Sequence, residues 1–183
     1  MTGMAIKTRY DNGDMQQRHD LGIDALLNVE SMVEWLTRTP TPLQRAYAQW
    51  ESLKRDSVVR AADFELLQAP GLSTYVMDVT PEDPAHYRFT AFNVLCVREL
   101  ANKVIAEHPI KHVQADLMCE YAMSKTTNSP MAHRIFHIFG GFRRDYLRLL
   151  LPLCDRRGNV TALACISRHL EAPAGSLQAI RPG

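Results

Sequence analysis

Residues 144–167 read Arg-Asp-Tyr-Leu-Arg-Leu-Leu-Leu-Pro-Leu-Cys-Asp-Arg-Arg-Gly-Asn-Val-Thr-Ala-Leu-Ala-Cys-Ile-Ser. Two apolar runs flank a polar segment, Asp155-Arg-Arg-Gly-Asn159, made of residues that favour turns. The stretch predicts a β-hairpin with strands over 146–154 and 160–168. Side chains alternate across a strand, so Leu149 and Leu151 fall on one face and Arg148 and Leu150 on the other. A hairpin this late in a chain that opens with helices predicts an α+β fold, with strands gathered into one sheet.

The rest of the chain supplies the other parts of such a sheet. Asp20 offers an N-cap for a helix running to about Leu36. Thr39-Pro-Thr-Pro42 ends it. Thr41 and Gln44 then form a capping box around Pro42, and Leu43, Ala46, Tyr47, Trp50 and Leu53 share one helical face. Asp63 caps a short turn through Leu67. Tyr75–Val79 and Tyr87–Phe92 read as strands joined by Pro81-Glu-Asp-Pro84. From Val94 to about Met123 the composition is helical, with a break at His108-Pro109. Thr126 to Pro130 is a loop, and Ala132–Phe139 is a third strand. The expected organisation is an N-terminal extension with one helix over 1–40, a domain over 41–171 and a disordered tail over 172–183. The domain should hold a five-stranded antiparallel sheet with helices on one face and N-terminal helices packed alongside.

Composition narrows the function. The chain has 183 residues, 46% of them hydrophobic, and a formal net charge of +1. That is enough for one domain with a real core, and the charge gives no general pull toward nucleic acid or an anionic membrane. No apolar run approaches the ~20 residues of a spanning helix. The N-terminus lacks the apolar block of a secretory signal, so a soluble, cytoplasmic protein is expected. The four cysteines, Cys96, Cys119, Cys154 and Cys165, form no Cys-x-x-Cys pair, and buried free thiols are expected of the two in strands. His108 and His112 have helical ligand spacing, but Pro109 pushes His108 out of the helix. His133 and His137 lie about 13 Å apart on a strand, too far for one metal ion, and read as surface or rim residues.

The order of elements is that of a PAS domain. Several pieces resemble a bacterial, mostly alphaproteobacterial, family of single-domain PAS proteins: Trp50-Glu-Ser-Leu-Lys-Arg55, Ala62-Asp-Phe64, Tyr87-Arg-Phe89, Tyr146-Leu-Arg-Leu-Leu-Leu-Pro-Leu153 and Arg157-Gly-Asn-Val160. The resemblance covers roughly Leu43 to Leu170. Where that family carries a Gly-Thr pair and a Gly-rich helix entry, this chain has Thr90-Ala-Phe-Asn93 and Val97-Arg-Glu-Leu-Ala101. Bulk there would fill the mouth of the usual PAS cavity.

The resemblance implies a sensory or protein-interaction domain of bacterial signalling that is not an enzyme. Its expected partners are a second copy of the chain, as a homodimer, and an unidentified signalling protein. One alternative is a PAS domain holding a small apolar or anionic metabolite. Another is a small cone-shaped α+β enzyme, which would need a cavity carboxylate or His; the strands after Asp78 offer only Asp145. No cofactor is expected. Flavin-adduct chemistry would require Cys96 directly after Asn93, and a two-position shift on a helix turns it by about 200°. Haem would depend on His112. Arg143, Arg144, Arg148, Arg156 and Arg157 read as a solvated rim. The pocket candidates are Phe89, Phe92, Leu117, Tyr121 and Arg88. Arg88 would either pair with Glu51 beneath the N-terminal helices or enter the cavity as an anion ligand. Trp35, Leu36, Tyr47 and Trp50 are the interface candidates.

Overall fold

The computed structural model describes residues 42–67, 71–92, 100–108, 111–139 and 142–169; for 91, 92, 112, 134, 136–139 and 142–145 it describes the backbone only. The expected extension over 1–40 and tail over 172–183 lie outside the described residues, as does the helix expected from Asp20 to Leu36.

Helix α1 (Pro42–Ser52) begins at its proline, whose fixed φ suits a first helical position, and buries Leu43, Ala46 and Trp50. A 3₁₀ turn follows over Ala61–Leu67. The strands are β1 (Ser73–Asp78), β2 (Arg88–Phe92), β3 (Met131–Phe139), β4 (Phe142–Cys154) and β5 (Val160–His169). Helix α2 (Lys111–Thr127) precedes β3 and runs through the first two residues of the loop expected from Thr126.

The five strands form one antiparallel sheet in the order β2-β1-β5-β4-β3. The fold is α+β, as the sequence predicts. The first strand lies against the last, so β5 sits at the centre and joins the two hairpins.

The alternation in β4 divides the core in two. Leu147, Leu149, Leu151 and Leu153 point to α1 and the 3₁₀ turn, where they meet Leu43, Trp50, Ala164 and Ile166. Leu150 and Cys154 point to α2, with Met77, Phe89, Leu117, Tyr121, Leu163 and Cys165. Helices therefore cover both sheet faces.

Pro152 is tolerated in β4 for a local reason. Strand β3 begins at Met131, opposite Leu150, so the edge of β4 beyond that point has no β3 neighbour. The Pro152 carbonyl on that edge accepts a hydrogen bond from Trp50 Nε1 at 3.0 Å, and the Cys154 amide donates to Val59 O at 2.7 Å. Trp50 is 3% exposed. It is a core residue whose indole ties α1 to the sheet, and this corrects the expectation that it forms an interface. Tyr47 is partly buried against the same cluster, with its ring 6.0 Å from that of Trp50. Trp35 and Leu36 lie outside the described residues.

The β4–β5 turn is held by Asp155. Its Oδ1 accepts from the amides of Arg157 at 2.8 Å and Asn159 at 3.0 Å. Gly158 takes φ +86°, a conformation other residues adopt at a cost.

Candidate functional site

The face of the sheet under α2 is unusual in what the helix buries against it. Gln114, Leu117, Glu120, Tyr121 and Ser124 are all buried. Their spacing follows the inward stripe of a helix, yet leucine is the one aliphatic residue among them. Each polar member has a partner. Gln114 Nε2 donates to the carbonyls of Ala106 at 2.8 Å and His108 at 2.7 Å. Ser124 Oγ donates to Ser129 O at 3.1 Å. Glu120 forms a buried ion pair with Arg148 on β4. The hydroxyl of Tyr121 bonds that of Tyr75 on β1 at 2.5 Å.

Strand register fixes what surrounds these contacts. Arg148 stands opposite His133 on β3 and Ser167 on β5, and Ser167 stands opposite Ser73 on β1. Directly opposed residues share a sheet face, so His133, Arg148 and Ser167 form a polar row across it. The row two residues along is Met131, Leu150, Cys165 and Tyr75. The Arg148 guanidinium carbon lies 5.5 Å from the Tyr121 ring centroid, within cation–π reach. The Tyr75 and Phe89 rings are 5.5 Å apart.

Burial sets the protonation of this cluster. Loss of hydration raises the phenols of Tyr75 and Tyr121 well above the ordinary tyrosine value, so both stay protonated and can hydrogen-bond one another. Burial likewise lowers the His133 imidazole to about 4, which keeps it neutral at physiological pH. Among the described residues, neither ring nitrogen of His133 and not the Nε of Arg148 has a hydrogen-bond partner.

Three of the five pocket candidates meet on this face: Phe89, Leu117 and Tyr121 belong to one buried cluster. The Phe92 side chain lies outside the described residues; its backbone pairs with Tyr75. Arg88 does neither of the things expected of it. It is exposed and donates to the carbonyl of Asn102, while Glu51 pairs with Lys54 at 2.7 Å. Arg88 sits on an edge strand, where its outward face meets neither α1 nor the core.

Two further expectations are corrected here. Arg148 is 4% exposed and His133 is 1% exposed, so neither belongs to a solvated rim. Sequence reasoning missed both because charge and polarity favour the surface unless a partner is supplied, and the partner of Arg148 lies on α2, 28 residues away. Glu120 was missed for the same reason. Its helix has no apolar period to reveal the inward face. The side chains of Arg143, Arg144, His112 and His137, and all of Cys96, lie outside what is described. Cys154 and Cys165 are buried free thiols, and Cys119 is exposed.

No family model and no curated protein matches the sequence. Several solved structures overlay on it loosely. A sensory box sensor histidine kinase from Vibrio cholerae matches at 10% identity and a TM-score of 0.40, covering 71% of this chain and 99% of that one. A Rhodobacter sphaeroides LOV protein matches at 9% identity and a TM-score of 0.41, covering 73% of this chain and 71% of its own. The PAS-B domain of Drosophila melanogaster Cycle matches at 6% identity and a TM-score of 0.39, covering 54% of this chain and 99% of that domain. Likeness at this level does not bear on what the chain does.

Proposed function

We propose that this chain is a PAS-type sensory module that works without catalysis and passes its state to a partner protein. The observation that carries the reading is the polar seam between α2 and the sheet. An apolar seam would hold the helix through burial alone. Here apolar packing through Leu117, Val113, Met118 and Met123 is joined by the Glu120–Arg148 ion pair and the Tyr75–Tyr121 hydroxyl contact, which are either made or broken. A seam of that kind favours two discrete positions of α2 over a continuum of small shifts, and a bistable element is what a sensor needs. The element order and the quoted sequence pieces that resemble single-domain PAS proteins support the same reading.

The alternative of a small cone-shaped α+β enzyme needs a cavity carboxylate or His. Burial lowers the His133 imidazole to about 4, which makes it a weak base. Glu120 reaches the core from α2, but its charge is neutralised by Arg148. A base tied in this way is poorly placed to take a proton from a substrate.

Native-state hydrogen exchange tests the proposal. The amides of 111–127 should exchange through a cooperative opening that leaves β4 and β5 protected. Glu120→Gln should raise the population of that opening at least tenfold. If α2 and β5 exchange only through one global unfolding step in both proteins, there is no separable second state and the reading fails.

A further inference from the structure

The two edges of the sheet are finished differently. On β2 the chain covers its own edge with residues 102–105. Phe89 N–H donates to Lys103 O at 3.0 Å, Phe89 O accepts from Asn102 N–H at 2.8 Å, and Tyr87 O accepts from Ile105 N–H at 2.9 Å. Among the described residues nothing pairs with the outer edge of β3. That edge is nine residues long and runs along β4 with no register shift. It holds no proline, glycine or lysine, and its one charged residue besides histidine is Arg134. Edges left open in native sheets are generally short, bulged or guarded by Lys or Pro.

Pro152 fixes which backbone groups β3 offers. Its carbonyl lies on the β3 side of β4, where it accepts from Trp50. Every second residue of a strand turns its backbone groups to the same side, so Leu150, Arg148 and Tyr146 also direct theirs to β3. Their partners Met131, His133 and Ile135 are therefore engaged with β4. The residues between them and beyond, Ala132, Arg134, Phe136 and Ile138, direct N–H and C=O to the open edge.

This pattern complements itself. A two-fold axis normal to the sheet and passing beside Ile135 overlaps all nine residues of β3 with those of a second copy, antiparallel. Ala132 then meets Ile138 of the second copy and Arg134 meets Phe136, and the reverse by symmetry, so each outward N–H faces an outward C=O. Moving the axis one residue back would set Arg134 against itself, and directly opposed like charges are destabilising. The result is one sheet of ten strands whose two remaining edges are both β2, each covered by its own 102–105 segment. Assembly stops at two copies, as an isologous contact should.

We propose that the chain forms a two-fold dimer by pairing β3 with β3 of a second copy, centred on Ile135. The contact lies at the sheet edge and does not use the α2 seam, so it stands apart from the sensory reading.

Sedimentation equilibrium of the full chain at micromolar concentration should give the mass of two chains. Phe136→Pro removes an N–H that β4 does not use, and proline is tolerated on an edge in that orientation; it should weaken the dimer at least tenfold. A cross-link tests the register. In a Cys119→Ser background, which removes the exposed thiol, Ile135→Cys should form an intermolecular disulfide on mild oxidation, because a residue facing its own copy in a non-hydrogen-bonded pair has the required Cα separation. Arg134→Cys, offset by two positions from its copy, should not. The amides of 134, 136 and 138 should exchange slowly in the dimer and fast on dilution to monomer. Should Phe136→Pro fail to fold, the cross-link and the amide exchange decide the matter. The proposal is overturned if the full chain sediments as a monomer, if folded Phe136→Pro dimerises as tightly as wild type, or if Ile135→Cys cross-links no better than Arg134→Cys. It is equally overturned if those three amides stay protected in the monomer, since another segment of the same chain would then cover the edge. None of these results alters a cooperative opening of α2, so the two readings fail separately.

Discussion

Lowering the pH should cost this protein stability through one identifiable residue, His133. Its imidazole is 1% exposed and its pKa is lowered by burial from 6.5 to about 4. In the unfolded chain the same group titrates near 6.5. Between those two values the unfolded state binds a proton that the folded state refuses, so linkage requires stability to fall as the pH falls. The contribution is fully present above pH 6.5, declines from there to about pH 4, and is level below that. At about 1.4 kcal/mol per pKa unit, the loss reaches roughly 2–3 kcal/mol by pH 4.5. Urea melts at pH 7.5 and pH 4.5 measure it, with His133→Phe as the reference. Carboxylates that titrate in the same range are common to both proteins and cancel in the comparison. The wild type should lose about 2–3 kcal/mol more than the variant over this interval. Equal losses would show that His133 is hydrated or already paired in the folded state, and would refute the burial argument.

Other perturbations separate the remaining contributions. Glu120→Ala leaves the Arg148 guanidinium buried without its counter-charge and should cost about 3–5 kcal/mol in urea melts, whereas the double change Glu120→Leu with Arg148→Met should come out close to neutral. Leu149→Ala and Leu151→Ala, each fully buried against α1, should cost about 2–5 kcal/mol apiece; small losses at both would mean β4 is not a core strand. Gly158→Ala should cost about 1–2 kcal/mol from backbone strain only, because a Cβ there meets nothing within 4 Å. A loss well above that would show that the turn does more than connect β4 to β5.

Much of the fold was legible in the order of residues because the features concerned are local. The direction of each Cβ in β4 follows from its neighbours in the strand, so the split of Leu149 and Leu151 from Arg148 and Leu150 could be read directly. The Asp155–Asn159 turn depends on side-chain contacts spanning four residues and on one glycine at positive φ. The face of α1 is given by the spacing of Leu43, Ala46 and Trp50. What those faces meet was decided elsewhere. Trp50 looked like spare apolar surface until the open edge of β4 gave its indole a carbonyl, 102 residues distant in sequence. The candidate site depended still more on distance in sequence. Glu120, Arg148 and His133 are polar residues on three different elements, and nothing in their local pattern distinguishes an inward position from an outward one. The burial of the two charged residues is tolerable because α2 packs on β4, so that Glu120 supplies the charge Arg148 needs. Desolvation and ion pairing are properties of the assembled neighbourhood. The seam under α2 was therefore settled by tertiary structure, while the strands and helix that frame it were written in the sequence.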